Sequence, residues 1–74
     1  MATETPTAAE IAKHYSAAMD SVTLINDLMG QESRTEEETA SVLRNVQHLR
    51  LMVAKDYWTT EDLAPFNSAI EAGS

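Results

Sequence analysis

The sequence predicts an all-α protein in which two long helices form an antiparallel αα-hairpin, a short C-terminal third helix follows, and several chains assemble into an oligomer. Three observations support this prediction: apolar residues recur at helical spacings, Thr-x-x-Glu start signals precede both long stretches, and the two glycines lie where helices should end. We expect residues 1–6 to form a flexible N-terminal arm and residues 7–74 to form a single helical domain.

Length and composition set limits on the kind of protein. A chain of 74 residues can form one domain with a thin core, and a hydrophobic share of 43% is typical of a folded chain. A formal charge of −7 repels phosphate backbones and anionic lipids, which disfavours direct binding to nucleic acid or to a membrane surface. Without cysteine there is no disulfide framework and no thiolate zinc site. Since neither a signal peptide nor a membrane-length apolar run is visible, we expect a cytoplasmic protein.

The first helix is predicted between Thr7 and about Met29. Thr7 and Glu10 fit a capping box, in which the Thr hydroxyl accepts a hydrogen bond from the Glu amide and the Glu carboxylate accepts one from the Thr amide. No glycine or proline interrupts the stretch that follows. Gly30 lies where a residue in the left-handed conformation would close the helix.

The second helix is predicted to begin at a second capping box, formed by Thr35 and Glu38 after a polar hinge. The consecutive acids Glu36–Glu38 also lie at the positive end of the helix dipole. Residues that favour helix continue as far as 55–58. We therefore expect two long helices of similar length, roughly 30 Å each at about 1.5 Å per residue.

A third start signal begins at Thr59, but Pro65 complicates its use. Six residues past a Thr59 cap, the proline ring would disrupt the backbone hydrogen bonds of the helix, whereas Pro65 suits the first turn after an Asp62 cap. The third helix is therefore predicted at about 63–72. Gly73 is expected to end it.

One apolar row on each helix is predicted to form the core of the hairpin. The row of the first helix comprises Ile11, Tyr15, Ala18, Val22, Ile25 and Met29. The row of the second comprises Val42, Val46, Leu49, Val53 and Tyr57, and the third helix offers Leu63, Phe66 and Ile70. Equal lengths and a short hinge favour antiparallel packing of the long helices at about +20°.

Each long helix also carries a second apolar row. The rows are Ala17, Ser21, Leu24 and Leu28 in the first helix, and Ala40, Leu43, Gln47, Leu51, Ala54 and Trp58 in the second. A short third helix cannot cover both rows, so we predict that part of this surface meets another chain. The predicted interface residues are Leu24, Leu28, Leu51, Met52 and Trp58. The alternatives are that the small residues of these rows tolerate exposure, and that Trp58 is instead a core plug beneath the third helix.

The sequence shows no arrangement of catalytic or metal-binding residues. His14 and His48 lie on different predicted helices, and neither is followed four residues later by a His, Asp or Glu that could share a metal ion. Glu10, one turn before His14, favours a surface ion pair. We therefore expect a protein that is not an enzyme and uses no metal and no cofactor.

The C-terminal third of the chain resembles a known group of proteins. The segment HLRLMVAKDYWTTEDL, from His48 to Leu63, together with Ala69–Gly73, is similar to small uncharacterised proteins encoded by tailed bacteriophages. The resemblance implies a viral accessory protein that acts in the cytoplasm of the infected host cell or in the virus particle. It implies no catalytic activity.

Three functions remain open from the sequence. The leading hypothesis is an acidic, non-enzymatic protein-interaction module that forms a homo-oligomer and/or binds a host or virion protein. The alternative is an acidic inhibitor that mimics nucleic acid and blocks a basic groove of a host protein. Its acids would be Glu32, Glu36, Glu37, Glu38, Asp56, Glu61 and Asp62, but the hairpin would separate them into two groups about 30 Å apart. A third hypothesis is sequestration of a small anionic ligand by Arg34, Arg44, Arg50 and Lys55.

Overall fold

The computed structural model describes residues 6–74, and all the regular structure in this part of the chain is helical. The helices are α1 (Ala8–Met29), α2 (Glu36–Val53) and α3 (Thr60–Gly73), and each packs against both others. The prediction of an all-α fold is therefore confirmed. The predicted arm, residues 1–6, lies outside the described residues except for Pro6.

α1 begins at its predicted cap but makes only half of the predicted capping box. Thr7 has extended backbone angles, and its Oγ1 accepts a hydrogen bond from the Glu10 amide over 3.2 Å. The second bond of a capping box, in which the Thr7 amide would donate to the Glu10 carboxylate, is not formed between these two described residues. One orphan amide of the first turn is thus satisfied by the threonine hydroxyl alone.

α1 ends without the left-handed glycine that the sequence predicts. Gly30 has φ −78° and ψ −11°, which is right-handed, and its amide still donates to the Asn26 carbonyl over 3.0 Å. The end of the helix is instead capped by Arg34, whose Nη1 donates to the carbonyls of Leu28 (3.2 Å) and Gln31 (3.1 Å). Because a side chain satisfies these carbonyls, no residue has to adopt a positive φ.

α2 has the full capping box that the sequence predicts. The Thr35 amide donates to Glu38 Oε1 over 2.9 Å, and the Glu38 amide donates to Thr35 Oγ1 over 3.1 Å. The helix ends at Val53, before the predicted end at 55–58. The reason is tertiary: the Met52 carbonyl accepts hydrogen bonds from the Trp58 indole (2.7 Å) and the Lys55 amide (3.1 Å), which holds the chain in a turn.

α3 begins three residues earlier than predicted. Thr59 is its cap, with the Thr59 amide donating to Asp62 Oδ2 (3.3 Å) and the Asp62 amide donating to Thr59 Oγ1 (3.1 Å). Pro65 consequently lies inside the helix, so the prediction of a start at residue 63 is wrong. The missing N–H of Pro65 leaves only the Glu61 carbonyl without its helical donor, and Glu61 is exposed, so water can replace that donor.

The predicted inner rows supply seven of the nine buried apolar residues, while Trp58 belongs to the predicted second row of α2 and Ala69 to no predicted row. The buried apolar residues are Ala18, Val22, Ile25, Val42, Val46, Leu49, Trp58, Phe66 and Ala69. The ends of the rows, such as Ile11, Met29 and Val53, are half-buried and pack against this cluster. Phe66 is fully buried, so α3 is an integral wall of the core.

At Gly73, α3 packs closely against the other two helices. It is the last residue of α3, whereas the sequence predicts that it follows the helix. A Cβ atom at this position would lie 2.6 Å from Cγ2 of Val46 and 3.1 Å from Cγ1 of Val42. The glycine is therefore required by packing, because only a residue without a side chain fits against these valines.

Candidate functional site

The aromatic residues gather where α2 passes into α3. Trp58 packs edge-on against Phe66 with ring centroids 5.1 Å apart, and Tyr57 lies 4.7 Å from Trp58. Tyr15 of α1 closes the cluster at 5.8 Å from Phe66. Only 8% of Trp58 is exposed. The sequence leaves two roles open for Trp58, and the structure shows that it is a buried residue of the core. It therefore has almost no exposed surface with which to contact a partner.

The predicted interface residues of α1 are only partly available. Leu24 and Leu28 are half-buried, and Leu28 packs against the core, as Met52 of α2 also does. Leu24 and Leu28 line an open groove of about 390 Å³ on α1, together with Asp20, Thr23 and Asp27. Its lining thus combines two leucines with two aspartates.

Among the large apolar side chains of the described residues, the two most exposed are on α2. Leu51 is 71% exposed and Leu43 is 56% exposed. They belong to a row of exposed residues that we call the outer row of α2: Ala40, Leu43, Gln47, Leu51 and Ala54. α3 packs on a different side of α2, beside Val42 and Val46, so no described part of the chain covers the outer row. Leu51 is thus the most exposed of the predicted interface residues. Leu43, which is not among them, is also exposed in the same row.

α2 and the turn after it carry both acidic and basic side chains, whereas the chain as a whole is strongly acidic. Glu36 and Glu37 are exposed at its start, while Arg44, Arg50 and Lys55 are exposed along its second half and the following turn. Three of the five basic residues of this acidic chain therefore border the outer row. The face is acidic at one end and basic at the other, an order that also suits the helix dipole.

A serine and a histidine meet between α1 and α2. Ser21 Oγ lies 2.9 Å from Nδ1 of His48, the distance at which a histidine could activate a nucleophile. However, Ser21 is only 5% exposed, and no acid is hydrogen-bonded to His48 among the described residues. A hydroxyl that substrate cannot reach serves as a structural link between two helices. The signal that could have found this pair is the position of Ser21 within an apolar row.

His14 makes a different contact from the one predicted. Its Nδ1 lies 2.8 Å from the Tyr57 hydroxyl, and the two rings stack with centroids 6.3 Å apart. The predicted ion pair with Glu10 does not form between these described residues. Both histidines therefore contact residues distant in sequence, which the spacing of charges along one helix cannot reveal.

Residues 6–74 contain neither a cluster of metal-binding side chains nor a helix that could span a membrane. No group of three His, Asp or Glu side chains in this part of the chain is placed to share a metal ion. None of its helices combines the length and the apolar character that crossing a membrane requires. Two of the four cations considered for an anionic ligand already have partners: Arg34 caps α1, and Arg50 Nη2 donates to Ser74 Oγ over 3.2 Å.

Comparison with models of protein families, with curated proteins and with solved structures found no match to the chain. The function is therefore inferred from the residues and their geometry.

Proposed function

We propose that this protein is a non-enzymatic, acidic helical module that acts by binding proteins, and that it self-associates. One observation carries the proposal: Leu43 and Leu51, with 56% and 71% of their surfaces exposed, lie in one row on a helix whose other side is built into the core. Exposed apolar side chains in a continuous row are typical of protein-binding surfaces. The binding surface is the outer row of α2.

The arrangement we propose for α1 and α2 is an antiparallel hairpin. Two side-chain contacts support it: His14, early in α1, contacts Tyr57, which follows α2, and Ser21, in the middle of α1, contacts His48 of α2. A residue later in α1 therefore contacts a residue earlier in the second half of the chain, which is the order of contacts between antiparallel helices. This arrangement turns the two inner rows toward each other and leaves the outer row of α2 facing away.

The biological setting we propose is a phage accessory role in the cytoplasm of a bacterial host, with a host or virion protein as a further partner. The resemblance of the segment from His48 to Leu63 to small tailed-phage proteins supports this setting. Since that segment contains Leu51 and the buried Trp58, the resemblance concerns both the binding row and the fold.

The experiment compares the wild-type chain with the double variant Leu43→Glu, Leu51→Glu. Each protein is immobilised and exposed to bacterial lysate, and its mass in solution is measured by light scattering. The variant is expected to keep its helical circular dichroism but to lose both self-association and capture, because carboxylates on the row would have to be buried without partners.

The matched control is Asn67→Glu, Ser68→Glu, which adds the same charge at exposed positions of α3. The control is expected to behave as the wild type. The proposal is contradicted if the outer-row variant binds as the wild type does, or if the wild type captures nothing and remains monomeric at every concentration.

A further inference from the structure

The outer row of α2 is symmetric about Gln47. Leu43 and Leu51 lie four residues before and after it, and Ala40 and Ala54 lie seven residues before and after it. All five residues are exposed. The row therefore presents the same order of small and large side chains when the helix is followed in either direction.

Such a row is complementary to itself when two helices run antiparallel. A two-fold axis at Gln47 places Leu43 of one copy against Leu51 of the other and Ala40 against Ala54. The alanines allow the helix ends to approach closely, and the leucines fill the space on either side of the axis. We propose that a second copy of this chain occupies the outer row of α2 in this antiparallel, two-fold symmetric arrangement. This inference rests on the proposed function and specifies the partner and its orientation.

The charges beside the row fit the same arrangement. Glu37 lies in the first turn of α2 and Lys55 in the turn that follows the helix, so an acid and a base stand at opposite ends of the outer row. In an antiparallel two-fold pair opposite ends of the row meet, so Glu37 of one copy lies near Lys55 of the other. The symmetry repeats the contact, giving two pairs of opposite charge. A parallel pair would instead keep the acids and the bases at opposite ends of the seam.

The two arginines beside the row do not oppose this pairing. Arg44 and Arg50 lie three residues before and after Gln47, so the axis brings them to the same height. They project about 60° to opposite sides, however, and therefore stand on opposite flanks of the seam. Each arginine shares a flank with its own copy but lies about 9 Å from it along the axis, so no two like charges face each other directly.

The expected dimer is small. α2 has 18 residues, which corresponds to a length of about 27 Å, and one pair of helices of this length buries less surface than a standard stable interface. We therefore expect an equilibrium between monomer and dimer that moves with protein concentration. A second possible occupant, the acidic groove of α1 in another copy, would join chains head to tail and produce open assemblies larger than a dimer.

Single-cysteine variants test the arrangement directly, because the chain contains no cysteine of its own. Gln47→Cys is expected to form a disulfide-linked dimer by itself on mild oxidation, since residue 47 faces its own copy. Ala40→Cys and Ala54→Cys should each remain monomeric alone, because each is about 21 Å from its own copy. An equimolar mixture of Ala40→Cys and Ala54→Cys should form the mixed dimer.

Charge reversal tests the pairing of Glu37 with Lys55 independently of the cysteine variants. Glu37→Lys and Lys55→Glu are each expected to weaken dimerisation about fivefold, as paired charges become like charges. The variant that carries both changes should regain dimerisation close to that of the wild type. Light scattering over a range of concentrations measures each case, and failure of the combined variant to recover would contradict the pairing of Glu37 with Lys55.

The other outcomes separate this inference from the proposed function. Self-linkage of Ala40→Cys would show a parallel pair, and masses that grow beyond the dimer would show head-to-tail docking; either result overturns the inference. If no cysteine variant is linked while the wild type still dimerises and Leu43→Glu, Leu51→Glu does not, the orientation is wrong and the proposed binding row stands. A wild-type protein that is monomeric at all concentrations overturns the inference. The proposed function is then tested separately, by whether the outer row of α2 captures a partner from lysate.

Discussion

Gly73 shows how a single methyl group limits the packing of α3. A Cβ atom there would lie 2.6 Å from Cγ2 of Val46, closer than two carbon atoms can approach. Alanine is favoured over glycine in a helix by about 1 kcal/mol, so propensity alone would predict a gain from substitution. The close approach to Val46 reverses that expectation.

The prediction is that Gly73→Ala lowers the free energy of unfolding by about 1–3 kcal/mol, because α3 must move away from α2. Urea unfolding followed by circular dichroism measures the change. In a Val46→Ala background, which removes the clashing methyl group, the same substitution should cost distinctly less. An equal cost in both backgrounds would show that contact with Val46 is not the cause.

The contact between Ser21 and His48 yields a second prediction at the scale of the residue. Ser21→Ala should lower the free energy of unfolding by about 1 kcal/mol, because one hydrogen bond between α1 and α2 is lost. A serine-reactive phosphonate should not label the wild-type protein, since the hydroxyl is buried. Labelling at Ser21 would contradict the structural role that we assign to it.

Among the helices, α2 has the clearest separation between a buried apolar side and an exposed apolar side. Val42, Val46 and Leu49 are buried on one side, while Leu43 and Leu51 are exposed on another. Residues that are neighbours in sequence, such as Val42 and Leu43, therefore have opposite environments. A helix with this division can present a binding row without weakening the core of its own chain.

The corresponding prediction compares two double variants of α2. Val42→Glu, Val46→Glu should unfold the protein, because two unpaired carboxylates in the core cost several kcal/mol each, comparable with the whole stability of a small domain. Leu43→Glu, Leu51→Glu should keep its helical content. Circular dichroism distinguishes the two, and a folded Val42→Glu, Val46→Glu variant would show that the inner side of α2 is wrongly assigned.

At the scale of the whole molecule, all three helices share one thin core with no disulfide to support it. Association through the outer row would add stability by mass action, because the partner binds only the folded chain. A small domain gains a large fraction of its stability from such a contribution. Folding and association should therefore be coupled.

The prediction is that the thermal midpoint of unfolding rises with protein concentration in the wild type. In Leu43→Glu, Leu51→Glu the midpoint should be independent of concentration, since the interface is lost. Scanning calorimetry over a hundredfold concentration range measures both proteins. A midpoint that does not move in the wild type would argue against self-association.

The sequence by itself determined the number of helices, the caps at Thr7 and Thr35 and most of the inner rows, because these depend on local hydrogen bonds and on the period of the α-helix. It also identified the second row of α2, since that row follows from the same period. The predicted start of α3 at residue 63 is wrong, because the cost of Pro65 depends on whether water reaches the Glu61 carbonyl, and that exposure follows from the packing of the helices.

Only the tertiary structure decided which second-row residues remain exposed. Trp58 and Leu51 belong to the same predicted row, yet Trp58 is 8% and Leu51 71% exposed, because the chain turns after Val53 and α3 then covers the indole. The contacts of His14, Ser21, Arg34 and Gly73 likewise join residues from different elements. Their roles depend on where the helices meet, and that is settled by packing across the whole chain.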